Sequence, residues 1–260
     1  KRQEIYSQTM VDFGYPEHAT PGCRIKSHVH LDEMDRCKNE FVLLPNFRLP
    51  THIHSRSANA KWLTEIAHRN PIWIHTKDAE RLGVNNEDLL KITTAIGWFV
   101  DKVWVTEAIK PGVVACSHHI GRWRRQNDEG NRFMTNTVNI KNLGDGKWKM
   151  ETVSGVEPWK TDDPDTNRIW WRDGGVHQNI THPTNPDPIS GAHCWLQKVS
   201  ISKPEPEEKY GDIFVDTNKS FEHFKKWNEW AKIRETHPNG LRRPLWMSRP
   251  LHPQIKNYYL

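Results

Sequence analysis

Cysteine is scarce in this 260-residue chain: Cys23, Cys37, Cys116 and Cys194 lie far apart, with no Cys-x-x-Cys pair. An iron–sulfur cluster needs converging thiolates, usually visible as a close run, so none is expected on this chain. A zinc site is unsupported for the same reason, and nothing in the spacing favours a disulfide framework. Long apolar runs are missing too. No stretch of about 18 apolar residues occurs, so no segment reads as a membrane-spanning helix. The chain does not open on the apolar core of a secretory signal either. Apolar residues make up 35% of the chain, and counting its 15 Gly as well leaves it short of the ~45–50% of a typical globular domain. Mean hydropathy is −0.82.

What is present argues against disorder. The chain holds 13 Trp and 17 Pro, and large aromatics in a polar chain suit an irregular body that buries itself against partners. The net charge is +5. Arg122-Trp123-Arg124-Arg125 is a basic cluster that would suit a cofactor phosphate, an acidic partner or simply a solvated face. A nucleic-acid partner is not expected, because acidic runs at Asp162-Asp163-Pro164-Asp165 and Glu205 to Glu208 interrupt any basic stripe.

Residues 70–125 are the most informative stretch. Thr76 is expected to cap a helical turn and Gly83 to end it. Asn85-Asn86-Glu87-Asp88 is a cluster of turn formers. Leu89 to Thr94 and Phe99 to Val105 are apolar and β-branched runs around Gly97, which predicts a hairpin. Pro111-Gly112 is a turn that leads into a strand, Val113 to Cys116. Taken alone, these elements also fit an ordinary antiparallel β domain with one helix.

The remaining segments narrow the reading. A short apolar run, Phe41 to Leu44, leads into Phe47-Arg48-Leu49-Pro50-Thr51-His52-Ile53-His54-Ser55, and a helix is expected from Ala60 to His68. Three more polar loops follow in order: Ser117-His118-His119-Ile120-Gly121, Gly174-Gly175-Val176-His177-Gln178-Asn179-Ile180-Thr181, and Asp187 to Gly191, which precedes a closing strand, Cys194 to Ile201. His28-x-His30 and His52-x-His54 would place both rings of each pair on one strand face, a geometry a metal could use. Surface or hydrogen-bonded histidines are the alternative.

The order and spacing of these four loops closely resemble the C-terminal pterin-binding domain of the dimethyl sulfoxide reductase superfamily of molybdenum and tungsten enzymes, over roughly residues 1–203. The resemblance implies a mainly β fold with peripheral helices: a double-psi β-barrel, followed here by an extended C-terminal tail. It divides the chain into a connecting segment from upstream domains (1–40), the dinucleotide-binding barrel (41–203, with an insertion at 126–172) and a docking extension (204–260). It implies a bis(molybdopterin guanine dinucleotide) cofactor carrying Mo or W and shared with the upstream domains, which would supply the metal ligand. The cofactor-binding residues it implies are Arg48, Thr51, His52, His54, Ser55, His119, Gly121, Gln178, Asn179 and Thr181, of which all but Gly121 and Asn179 are expected to line one concave face. Pterin edges mix donors and acceptors, which these residue types can match. The family's usual Gly before the Arg is Phe47 here, its Asn in the third loop is Gln178, and a Lys near the closing strand is Trp195.

Within the insertion, Phe133 to Lys141 and Lys147 to Val153 predict a hairpin across Gly144-Asp145-Gly146. The insertion, with the phrases Val176-His177-Gln178-Asn179 and Ser190-Gly191-Ala192-His193-Cys194-Trp195, resembles the group holding sulfite dehydrogenases and the polysulfide, thiosulfate and tetrathionate reductases. The implied role is the C-terminal cofactor-binding part of the catalytic subunit of such an enzyme. It would exchange electrons with an iron–sulfur subunit, held at a membrane by an anchor subunit, on the cytoplasmic or periplasmic side. The alternatives are an arsenate, arsenite or other oxyanion oxidoreductase of the same superfamily, a non-catalytic cofactor carrier and a structural subunit. Beyond residue 203, Pro204 to Lys209 reads as a stiff linker, and Ser220 to Arg234 reads as a helix with Phe221, Phe224, Trp227 and Trp230 near helical spacing. The tail from Leu241 to Leu260, with Arg242, Arg243, Trp246 and Arg249, is expected to dock on a neighbour.

Overall fold

Alternating burial along two strands shows how the body is built. Leu90 and Ile92 of one strand, and Gln197, Val199 and Ile201 of another, point inward, while their neighbours are partly or fully exposed. This is the period-two pattern of a sheet with one face on a core. The computed structural model describes residues 5–12, 16–20, 22, 29–45, 63, 70–118, 138–152, 176–187 and 192–231. By contacts the chain forms two units, Val29–Thr184 with Trp195–Phe224, and Lys1–His28 with Asn185–Cys194 and Lys225–Leu260. In the smaller unit, helix α1 (Gln8–Asp12) precedes a short turn of helix at Pro16–His18, and Pro186 bridges His193.

The larger unit holds nine strands: β1 (Glu40–Leu44), β2 (Ile72–Ile74), β3 (Leu89–Thr93), β4 (Gly97–Val105), β5 (Val113–Ala115), β6 (Val138–Gly144), β7 (Lys147–Thr152), β8 (Gln197–Ser202) and β9 (Ile213–Asp216). Helix α2 (Thr76–Leu82) lies between β2 and β3, and helix α3 (Thr217–Ala231) follows β9. Six strands close on themselves in the order β2-β5-β1-β8-β3-β4 and back to β2, giving a barrel. Two pairs are parallel, β1 with β5 and β2 with β4. Exchanging the first three barrel strands in sequence with the last three reproduces the same ring, parallel pairs included. That internal two-fold relation fits two interlocked three-strand halves, as a double-psi barrel requires. The interior is packed by Phe41, Leu43, Ile72, Ile74, Leu90, Ile92, Phe99, Val103, Val114, Val199 and Ile201, all at most 2% exposed. Each such side chain contributes roughly 1.5–3 kcal/mol by leaving water.

β4 is where the sheet forks. Its last three residues, Val103 to Val105, pair with β2 and close the barrel. Its first three, Gly97 to Phe99, pair instead with β9. β9 then pairs with β7, and β7 with β6, so a three-stranded wing grows from the barrel wall. Gly97 is required at the fork, because a Cβ there would overlap the carbonyl oxygen of Phe214 and lie 3.1 Å from Val215 Cα. The predicted insertion hairpin is present, with Asp145 and Gly146 at φ +47° and +72° as a type I′ turn demands. Its tip is fastened to the start of α3: the Thr217 hydroxyl donates to Gly146 O at 2.7 Å, and Asn218 Nδ2 to Asp145 O at 2.8 Å.

Several expectations shift. The cap of α2 is His75, whose Nδ1 accepts from the Lys77 amide at 3.1 Å. Thr76 instead donates its hydroxyl to Glu107. Gly83 ends the helix in the left-handed region as expected. β2 and β9 were not predicted, and β9 places residues 213–216 of the expected docking extension inside the sheet. The expected helix at 220–234 runs Thr217–Ala231. The helix expected at 60–68 and the tail from 241 lie outside the described residues. Among the described residues, no helix is long and apolar enough to cross a membrane.

Candidate functional site

Strand directions bring several loops to one end of the barrel. β1 and β5 are parallel, with Leu44 opposite Ala115, so both leave the sheet at the same end. β2 and β8 run the other way and enter there, with Trp73 opposite Ala115 and Gln197 opposite Leu43. The β3–β4 turn is also at this end, since β3 runs antiparallel to β8, from Lys91 opposite Ser202 to Thr93 opposite Ser200. The exits of β1 and β5 carry the first two polar loops of the sequence, and the entry to β8 follows the last. Ligand sites commonly form where loops meet at a barrel mouth.

The third loop is fastened to this end by buried hydrogen bonds. Asn70, 1% exposed and two residues before β2, donates from Nδ2 to Ser117 O at 3.0 Å and to Val176 O at 2.8 Å, with Gln178 Oε1 at 3.3 Å. Its Oδ1 accepts from the Val176 amide at 2.9 Å. Gln178, fully buried, donates to Ser117 O and to Cys116 Sγ. Gln178 begins a 3-10 turn, Gln178–Thr181, inside which the Thr181 hydroxyl donates to Gln178 O at 2.7 Å. At its far end, the Thr94 hydroxyl donates to Thr181 O and accepts from the amides of Ile96 and Gly97. Buried polar groups this well paired give a segment one geometry.

Electrostatically this end is quiet. Burial raises the Cys116 thiol far above its usual range, with the Asp101 charge adding to the effect, so the sulfur stays a neutral thiol. The His118 ring lies 5.1 Å from that of Trp195. In the smaller unit, burial holds the His193 ring below its ordinary value and favours its uncharged form. No cluster of three His, Cys, Asp or Glu suited to a metal occurs among the described residues.

Of the residues implied by the resemblance, Gln178, Asn179 and Thr181 come together in the third loop. Gln178 and Thr181 direct their polar atoms into the protein. Asn179, between them, differs: its Oδ1 is buried yet has no hydrogen-bond partner. Arg48, Thr51, His52, His54, Ser55, His119 and Gly121 lie outside the described residues. Sequence reading passed over Asn70 and Thr94, because an Asn before Pro and a Thr at a strand end both read as turn formers.

The opposite end carries a different polar centre. Buried Asp78 receives Arg36 and, at 2.6 Å, the Gly112 amide. Beside α2, a cavity of about 610 Å³ is lined by residues that include Thr76, Glu80, Val84, Asn86 and Val105.

Residues 42–144 match the family model of the molydopterin dinucleotide binding domain. Over this stretch the chain is similar to such a domain, as the dimethyl sulfoxide reductase superfamily carries it. The matched range holds five of the six barrel strands of the dinucleotide-binding domain, with β8 closing the barrel beyond it. Trimethylamine-N-oxide reductase 1 of Escherichia coli is 27% identical over 137 residues, covering 46% of this chain and 14% of that protein. The molybdopterin-containing component of arsenate respiratory reductase from Chrysiogenes arsenatis is 26% identical over 147 residues, 44% of this chain and 17% of its own. A Halobacterium salinarum protein assigned as the catalytic component of a dimethyl sulfoxide reductase is 33% identical over 78 residues, 30% and 9% of the respective chains. Among solved structures, acetylene hydratase from Pelobacter acetylenicus superposes with a TM-score of 0.45 and 15% identity, over 77% of this chain and 23% of its own. The chain thus spans less than a fifth of the curated relatives it matches.

The described residues fit the cofactor this family accommodates. A pterin presents an exocyclic amine and ring N–H donors, and the Asn179 Oδ1 is a buried acceptor awaiting one.

Proposed function

We propose that this chain is the C-terminal cofactor-binding part of the catalytic subunit of a molybdopterin oxidoreductase, one that turns over a sulfur oxyanion such as sulfite, thiosulfate, polysulfide or tetrathionate. The observation that carries the reading is Asn179 Oδ1, a buried acceptor without a partner, held in a rigid loop at the barrel mouth of a dinucleotide-binding domain. A buried acceptor left unpaired costs roughly 1–3 kcal/mol, and a cofactor donor would remove that cost. When bound, the metal–pterin group supplies the redox chemistry. The chain's own part is to hold and orient it. Asn179 accepts from a pterin edge, and the neutral Cys116 behind the loop adds no competing charge. Arg48, Thr51, His52, His54, Ser55, His119 and Gly121 complete the binding face from the first two loops, while Gln178 and Thr181 fix its shape.

The sulfur-oxyanion assignment rests on the insertion between the second and third loops and on the phrases Val176-His177-Gln178-Asn179 and Ser190-Gly191-Ala192-His193-Cys194-Trp195, which resemble that group of enzymes. Attachment through an anchor subunit belongs to the same proposal, as does electron exchange with an iron–sulfur subunit. The second reading is an arsenate or arsenite oxidoreductase, favoured by the likeness to the arsenate respiratory reductase. Metal analysis of the intact protein, pterin fluorescence after oxidative release and a dye-linked assay with each oxyanion test both. Pterin with turnover of sulfite, thiosulfate, polysulfide or tetrathionate is expected. Turnover of arsenate or arsenite alone selects the second reading, and absence of pterin and metal removes both.

A further inference from the structure

We infer that Asn70 is a positioning residue for the cofactor, a buried amide that locks the second and third loops together and thereby holds Asn179 in place. The inference rests on reading the barrel mouth as the pterin site. Asn70 lies 106 residues from Val176 and 47 from Ser117, so it joins segments that the chain itself does not hold together. Both of its side-chain atoms are used. Nδ2 reaches the carbonyls of Ser117 and Val176, and Oδ1 takes the Val176 amide. Gln178 shares the Ser117 carbonyl, which ties the same two loops a second time. With Thr94 holding Thr181 O, the third loop is fixed on both sides of Asn179. A carboxylate could not replace this amide, because it has no N–H to donate. An acceptor that must meet a rigid heterocycle gains affinity from being fixed beforehand, since ordering it on binding would be unfavourable.

The test uses the intact holoprotein. Asn70→Asp keeps the size and the acceptor for the Val176 amide but loses the donors, while Asn70→Ala loses both. Both variants should raise hydrogen exchange at the amides of 176–181 and leave β1 and β8 protected. Loss of pterin in mild denaturant, followed by its fluorescence, should become roughly tenfold faster, the change that about 1.4 kcal/mol produces. The absorption spectrum of the retained cofactor should shift as well. Asp78→Asn, at the opposite end and equally buried, controls for general destabilisation and should release pterin at the wild-type rate when compared at matched stability. If Asn70 variants hold the cofactor as tightly as wild type with an unchanged spectrum, the inference is overturned. It is also overturned if Asp78→Asn releases pterin just as fast. A wild-type protein that yields no pterin would overturn the functional reading itself, a result distinct from either of these.

Discussion

Replacing Gly97 by Ala should detach the wing from the barrel. In an ordinary strand this change stabilises by roughly 0.5–1 kcal/mol, because glycine is the more flexible residue in the unfolded chain. Here the added Cβ overlaps Phe214 O and crowds Val215 Cα at 3.1 Å, both of them backbone atoms of β9. Forcing a methyl group into packed space costs about 1–3 kcal/mol. The stacked pair Trp98–Phe214, with centroids 5.8 Å apart, spans the same junction and puts about 0.5–1.5 kcal/mol more at risk. Set against the smaller gain, the net is a loss of about 0.5–4 kcal/mol, concentrated in three residue pairs between β4 and β9. Hydrogen exchange read by mass spectrometry is the assay. Protection should fall across Ile213–Asp216 and Lys147–Thr152, while Glu40–Leu44 and Gln197–Ser202 keep theirs, because the barrel closes through the other half of β4. Wild-type protection in β9, or a more stable protein, would refute the fork as described.

Thr94→Val should cost about 1–3 kcal/mol, because the amides of Ile96 and Gly97 and the Thr181 carbonyl all lose their hydroxyl partner; a shift in denaturant midpoint checks it. Asp78→Ala should cost about 1–3 kcal/mol, because the Gly112 amide and the partly exposed Arg36 lose their acceptor, read by the same midpoint. In the wing, Lys141 hydrogen-bonds Glu151 and, with Lys149, holds its carboxyl below the usual 4.5. That contribution is present above pH 4.5 and is lost as the pH falls through the lowered value, so Glu151→Gln should flatten the acid-side loss of hairpin protection. Asp212 acts in the opposite sense: burial raises its carboxyl, so its contribution is fullest below 3.8 and fades as the pH rises through the raised value. Truncation after Ala231 should weaken assembly with neighbouring domains or subunits and leave metal content unchanged, whereas truncation after Lys203 should also release the hairpin, because it removes β9; co-purification with metal analysis checks both.

Elements with a local signal were legible in the sequence. Leu89 to Val105 alternates around a turn, and Asp145-Gly146 is a turn that few other dipeptides make as well. Gly83 sits where the left-handed end of a helix needs it. β2 and β9 gave no such signal. Ile72-Trp73-Ile74 is too short to show a period, and Ile213–Asp216 follows a polar stretch that reads as linker. The α2 cap moved by one residue because an imidazole nitrogen can accept like a hydroxyl, and sequence weighs Thr first. At the site, the third loop was found but the use of its side chains was not. Gln178 and Thr181 have the chemistry of ligand contacts, yet their partners are Ser117, Cys116 and a carbonyl of their own turn. Asn70 and Thr94 acquire meaning mainly from partners 47 to 106 residues away, a relation that no local pattern encodes.

The ring order of the barrel has a consequence for how the chain can be made. β8 inserts between β1 and β3, so two strands synthesised early wait for one that begins at Gln197. Until then the nascent protein exposes two unpaired strand edges, each a template for pairing with another chain. Contacts this distant form slowly, since a long loop must close before any pairing rewards it. A stalled or nicked chain lacking β8 is therefore an open sheet prone to association, not a smaller barrel. The last strand of the barrel to leave the ribosome decides whether the first has anywhere to go, and this protein should lean on chaperones during synthesis more than its size suggests.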